Sequence, residues 1–131
     1  MSTQAIRFVS SCIKTLSAVE AYPERSNQHE FNGVRELQDL FGSSRMTTTV
    51  KFSERGASTQ AVANMTWYDA REAHPTRSEY RLYFQPNAVM DHADEGDNVI
   101  IGVDAKGLVN CILIKQGDKR HKPGILSWKP C

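Results

Sequence analysis

From Ile6 to Leu16 the chain reads Ile-Arg-Phe-Val-Ser-Ser-Cys-Ile-Lys-Thr-Leu, β-branched and aromatic residues in partial alternation with polar ones. This predicts a first strand. Tyr22 to Phe31 is rich in turn formers and polar groups and predicts a loop. Between Gly33 and Gly42, Val34, Leu37, Leu40 and Phe41 recur at spacings of three and four, which predicts a helix stopped by Gly42. Thr47–Phe52 and Gln60–Trp67 read as two strands, joined through Ser53-Glu-Arg-Gly56 as a hairpin. From Arg77 the side chains alternate, with Arg77, Glu79, Arg81 and Tyr83 on one face of a strand and Ser78, Tyr80, Leu82 and Phe84 on the other. Gln85-Pro-Asn87 marks a turn, and 88–97 has room for one helical turn. Asn98–Val103 and Leu108–Lys115 then form a hairpin about Asp104-Ala-Lys-Gly107.

Seven or so short strands with one clear helix and no alternating βαβ pattern indicate a mainly β (α+β) domain, a small open barrel. At 131 residues the chain is one domain. Its composition, 40% hydrophobic and 24% charged, is that of a soluble globular protein, with no membrane span and no export signal, so the expected location is the cytoplasm. Cys12, Cys111 and Cys131 are odd in number and widely spaced, which argues against a disulfide framework. The net charge of +1 is low for a non-specific nucleic-acid binder. The charge is unevenly spread, however: Asp91, Asp94, Glu95 and Asp97 crowd one segment, and Lys115, Lys119, Arg120, Lys122 and Lys129 crowd the C-terminal stretch.

The strand face of Arg77, Glu79 and Arg81 carries chemistry. It spans about 13 Å at 3.3 Å per residue. Arginine donates two bonds to guanine O6 and N7, and glutamate accepts from the cytosine amino group, so such a face can read G·C pairs from the major groove. The same alternation also suits a solvated face with weak cross-strand ion pairs. A restriction-type Mg²⁺ nuclease needs an aspartate and an acidic-x-Lys pair. Asp91 or Asp94 followed by Asp104-Ala-Lys106 has that spelling, but Asp-Ala-Lys-Gly between two apolar runs is first a hairpin turn. His29, His74, His92 and His121 share no zinc-ligand spacing, and no phosphate-binding glycine loop or nucleophile elbow is present. No cofactor or metal is expected.

Three stretches carry a resemblance. Thr76-Arg77-Ser78-Glu79-Tyr80-Arg81 resembles the Thr-Arg-x-Glu-x-Arg recognition arm in the N-terminal effector domain of EcoRII-like type IIE restriction endonucleases. Ile13-Lys14-Thr15-Leu16-Ser17-Ala18 is similar to the Ile-Lys-x-Leu-Ser-Ala stretch that enters that family's first arm. Ile112 to Gly117 is similar to the last core strand of the related BfiI DNA-binding domain. The resemblance covers Ile6 to Gly117 and implies a seven-stranded, B3-like open pseudobarrel with one or two short helices over residues 1–117, followed by a basic tail or linker at 118–131. It implies a target-recognition domain for double-stranded DNA, a monomer in isolation, that binds a CC(A/T)GG-type site with two major-groove arms. The nuclease domain of the prokaryotic parent protein would lie outside this chain. The implied DNA-contacting residues are Lys14, Arg25, Asn27, Gln28, His29 and Glu30 toward the first arm, and Arg71, Thr76, Arg77, Ser78, Glu79 and Arg81 toward the second. The family has lysines at the positions of Pro75 and Tyr80, for which Arg71 or His74 would substitute. Two other classes compete with this reading: a small Mg²⁺ nuclease using Asp104 and Lys106, and a β-barrel module for protein or carbohydrate.

Overall fold

The structure is a computed structural model, described here for residues 8–22, 30–32, 35–71 and 79–131, with the backbone alone at Val19, Glu30 and Asn32. Its elements are β1 (Phe8–Thr15), α1 (Ala18–Ala21), β2 (Glu30–Asn32), α2 (Arg35–Phe41), β3 (Met46–Glu54), β4 (Gln60–Asp69) and β5 (Tyr80–Phe84). A 3-10 turn (Met90–His92), β6 (Asn98–Asp104), β7 (Val109–Ile114) and β8 (Lys129–Pro130) follow. One mixed sheet runs in the order β2-β5-β4-β3-β7-β6-β1-β8. Seven strands curl into an open half-barrel and the two-residue β8 extends one edge. Among the described residues every pairing is antiparallel except β3 with β7.

The expected mainly β half-barrel with short helices is the observed fold. Both hairpins, the second helix and the single turn at 90–92 fall where the hydrophobic periods put them. The four-residue α1 was not located in advance. Ser17 and Glu20 form a capping box around it: the Ser17 hydroxyl accepts from the Glu20 N–H, and the Glu20 carboxylate accepts from the Ser17 N–H. That cap ends β1 at Thr15.

Alternate residues point inward, so Val50 and Phe52 of β3, Ala63, Met65 and Trp67 of β4, Leu82 and Phe84 of β5, Val99 and Ile101 of β6, and Cys111 and Leu113 of β7 share one core. Leu37 of α2 plugs it. The two edges of the sheet meet through aromatic rings. Phe31 on β2 stacks on Phe84 at 5.0 Å and meets Trp128, just before β8, edge-on at 5.5 Å.

Residues 118–131, expected as a tail or linker, are bound to the barrel. The Thr15 N–H donates to Ile125 O at 2.8 Å, and Thr15 Oγ1 accepts from the Ile125 N–H at 2.9 Å. The amide of Asn98, fully buried, donates to Lys122 O at 2.8 Å and accepts from the Lys122 N–H at 2.6 Å. The Cys131 N–H donates to Ser11 O at 3.0 Å. Prolines and lysines make this segment look like a linker, but its partners on β1 lie more than a hundred residues away in sequence.

Candidate functional site

The β4–β5 connection is anchored at its base by Asp69. One carboxylate oxygen, Oδ1, accepts from the N–H of Arg71 at 2.9 Å and of Glu79 at 2.7 Å, and the Ala70 N–H donates to Glu79 O at 2.7 Å. These bonds prolong the ladder past the Asp69–Tyr80 pair. They fix the outward side chains nearby. Glu79 Oε2 lies 3.3 Å from Arg71 Nε and 3.5 Å from an Arg81 guanidinium nitrogen, so one carboxylate oxygen lies between two guanidiniums. Arg71, Glu79 and Arg81 are 48, 42 and 26% exposed. Pairs this open are worth at most about 1 kcal/mol. Their effect is to orient the guanidiniums and not to hold the fold together.

Beneath this face the strand is locked by packing. Leu82 and Phe84 are buried in the core, and Tyr83, between them, points outward. Tyr80 stacks on Trp67 with ring centres 5.1 Å apart and planes 12° apart. The Tyr80 hydroxyl donates to Ser43 O at 3.0 Å, and the Trp67 indole N–H donates to Gly42 O at 2.9 Å. At this position the resembled family carries lysine; here the side chain is a packing element. On the outward side, the Arg45 guanidinium sits 5.5 Å from the centre of the Tyr68 ring. Tyr68 is the register partner of Arg81.

The rest of the outward face of β3, β4 and β5 is mostly polar, with Val62 of β4 also exposed. Thr47 and Thr66 share a hydrogen bond between hydroxyls at 3.0 Å, Thr49 donates to the Asn64 side chain at 3.2 Å, and the Asn64 N–H donates to the Gln85 side chain at 2.9 Å.

Of the residues expected to touch DNA, Arg71, Glu79 and Arg81 are brought together. Lys14 is not brought to them. It makes an ion pair with Glu20, at side-chain exposures of 12 and 9%, and also donates to Thr15 O at 3.1 Å. That pair ties β1 to the cap of α1. Arg25, Asn27, Gln28, His29, Thr76, Arg77 and Ser78 lie outside the described residues, as does the side chain of Glu30. The backbone of β2 is described: Glu30 pairs with Tyr83 and Asn32 with Arg81. The chain therefore enters β2 and β5 at opposite ends of one short ladder, and the segments expected to form the two arms attach at those two ends.

The C-terminal cations are only partly available as a basic surface. Lys115 Nζ donates to Asp94 Oδ2 at 2.8 Å and also bonds Asp97, whose carboxylate is 1% exposed and accepts from the Gln116 N–H at 3.1 Å. Burial pulls the Lys115 ammonium down, but its bonds to Asp94 and Asp97 outweigh that and hold it above its usual value. The bond from Lys115 holds the Asp94 carboxyl below the usual carboxylate range. Arg120 is paired with Asp118, whose carboxyl that bond lowers to about 2. Lys119, Lys122 and Lys129 are exposed.

The acidic-x-Lys spelling lies in the β6–β7 turn. Asp104 Oδ1 accepts from the N–H of Lys106 at 2.9 Å and of Leu108 at 3.0 Å, while Gly107 takes a φ of +80°. Among the described residues, no three His, Cys, Asp or Glu side chains are grouped as a metal site.

Arg45 and Tyr68 were missed in the sequence. The signal was the β3–β4 hairpin itself: pairing Met46 with Trp67 sets Arg45 beside Tyr68. Comparison of the sequence with models of protein families and with curated proteins finds no match.

Proposed function

We propose that this chain is a sequence-specific double-stranded DNA-binding domain with a B3-like pseudobarrel, the target-recognition module of a prokaryotic restriction endonuclease. In this reading it binds a CC(A/T)GG-type site as a monomer and leaves cutting to a nuclease domain elsewhere in the parent protein. The observation that carries the reading is the carboxylate of Glu79 lying between Arg71 and Arg81 where β5 emerges from the barrel. Arg–Glu–Arg on a strand edge supplies guanine donors and a cytosine acceptor side by side. The resemblance of Thr76 to Arg81 to a recognition arm adds the target.

The division of labour follows from the attachment points. Two arms rooted at opposite ends of the β2–β5 ladder would straddle the stretch of duplex that the ladder faces. Arg77 and Arg81 would each give two parallel hydrogen bonds to guanine, and Glu79 would exchange its arginine partners for a cytosine amino group. A carboxylate near phosphates is repelled, so its presence is productive only where it reads a base.

The test is a titration of the purified chain, at fixed salt, with duplexes that do and do not contain CC(A/T)GG. Tighter binding to the first is expected. Equal affinity for both removes sequence specificity from the reading, and cleavage of either duplex by the chain with Mg²⁺ replaces it with the nuclease reading.

A further inference from the structure

We propose that the turn Gly42-Ser43-Ser44-Arg45 is a phosphate seat that grips the DNA backbone beside the base-reading hairpin and adds affinity without sequence preference. This rests on the DNA-binding reading above.

The turn follows α2. Gly42 has a φ of +82°, and its N–H donates to Gln38 O at 2.7 Å. A helix C-terminus ordinarily repels anions, because its last carbonyls point outward. Here two of the carbonyls that follow the helix are occupied. Gly42 O accepts from the Trp67 indole and Ser43 O from the Tyr80 hydroxyl. The two donors come from β4 and β5 and are stacked on each other, so the turn is fastened to the strands that root the hairpin.

With those oxygens occupied, the turn presents donors. Ser43, Ser44 and Arg45 are exposed. Among the described residues, the N–H groups of Ser43 and Ser44 have no hydrogen-bond partner. Arg45 lies against the Tyr68 ring, which limits its rotamers, and the residue stays exposed. Tyr68 is the register partner of Arg81, and Arg45, one residue before the Met46–Trp67 pair, lies against the Tyr68 ring. Tyr68 thus stands between the two arginines, and with neighbouring strands about 4.8 Å apart they lie on the order of 10 Å from each other, a rise over which one DNA strand presents about three phosphates at 3.4 Å each. Arg45, Arg71 and Arg81 face two carboxylates, Asp69 and Glu79, and Asp69 is already accepting two backbone N–H groups. The surplus is positive.

Phosphate is favoured over bases because a four-residue turn fastened at two carbonyls does not cross a major groove about 8.5 Å deep. It reaches the groove's rim, where the phosphates lie.

The test uses the full chain with Arg45→Gln, titrated across a salt series against a CC(A/T)GG duplex and a scrambled duplex. Loss of one neutralised phosphate lowers the salt slope by about 0.9 and weakens binding about eightfold at 0.1 M salt. The loss should be equal for both duplexes, so the ratio between them stays fixed, and the melting temperature should not move. Ser44→Glu, an exposed change that removes no packing, should weaken both at least as much, and Arg45→Lys should keep most of the affinity. Unchanged affinity and slope in Arg45→Gln and Ser44→Glu, with the wild type binding normally, would overturn the seat and leave the base-reading arm standing. A loss confined to the CC(A/T)GG duplex would overturn it too, because Arg45 would then act on base reading. If the wild type binds both duplexes equally yet still shows the slope change, the seat survives and base reading fails. A wild type that binds neither duplex ends both proposals.

Discussion

The two walls of the half-barrel differ in what they do with their outer faces. On the β1–β6–β7 wall every residue of β7 is buried, Ile112 included, as is Ile13 of β1, and residues 118–131 are hydrogen-bonded across to β1 and β6. On the β3–β4–β5 wall the inner face is just as apolar, but the outer one carries Thr47, Asn64, Tyr83 and the arginine cluster in solvent. Charge follows the same split. Lys14 with Glu20 is a sequestered pair and Lys115 reaches down to a buried Asp97, so both staple segments together, whereas Arg71 and Glu79 are nearly half exposed and orient each other and Arg81. A wall covered on both sides works as scaffold. The wall covered on one side is left to meet a partner.

The strongest way to break this contrast is at the seam. Trp128→Ala removes a buried aromatic from between β2 and the β8 edge and should destabilise the domain by about 3–5 kcal/mol, read as a drop in the denaturation midpoint. A loss below about 1 kcal/mol would make the last segment an accessory and not part of the scaffold. Next in size, Lys115→Met strands the buried Asp97 carboxylate and should cost about 3 kcal/mol at neutral pH. Part of that stability depends on pH. Asp94 has a lowered pKa in the folded state, so its contribution is present above its unfolded value and fades as pH falls through the folded one. Acid should therefore narrow the gap between wild type and Lys115→Met, and a gap that widens below pH 4 would contradict the pairing.

On the open wall the expected sign is reversed. Glu79→Ala and Arg81→Ala should leave stability within about 0.5 kcal/mol, while each costs about 1–3 kcal/mol in binding to CC(A/T)GG duplex. Arg77→Ala should flatten preference at one base pair, with lysine a poor substitute for its planar fork. If Glu79→Ala improves binding to cognate and scrambled DNA alike, Glu79 is a repulsive surface charge and the two walls differ only in burial. The smallest expected effect is Asp104→Ala. It removes two turn bonds at an open site, a cost of about 1 kcal/mol. Any DNA cleavage that it abolished would establish the nuclease reading instead.

The parts of the fold that were legible in the sequence are the local ones. Period-two alternation put Leu82 and Phe84 inward and Tyr83 outward, and the glycine of Asp104-Ala-Lys-Gly107 marked a turn that needs positive φ. Ser17-Ala-Val-Glu20 spelled a capping box, but its neighbours read as a strand and the helix is one turn long. What the sequence hid depends on distant partners. Nothing near Trp128 indicates that Phe31 receives it, and Lys115 pairs with Asp97 across a hairpin. Lys14 followed a family pattern toward the first arm, yet Glu20, six residues on, claims its ammonium. At the candidate site, Glu79 and Arg81 were visible as a strand face, whereas Arg45 required the β3–β4 register.

The order of the sheet also sets a schedule for folding. Among the described residues, β1 has hydrogen-bonding strand neighbours in β6 and β8 alone, residues separated from it by most of the chain. Phe31 likewise waits for Trp128. During synthesis, the hairpin of β3 and β4 can close soon after it emerges, but the first strand has no partner until the second hairpin has been made. High contact order of this kind slows folding to milliseconds or longer. In the interval the exposed edge of β1 is a site for pairing with the wrong chain.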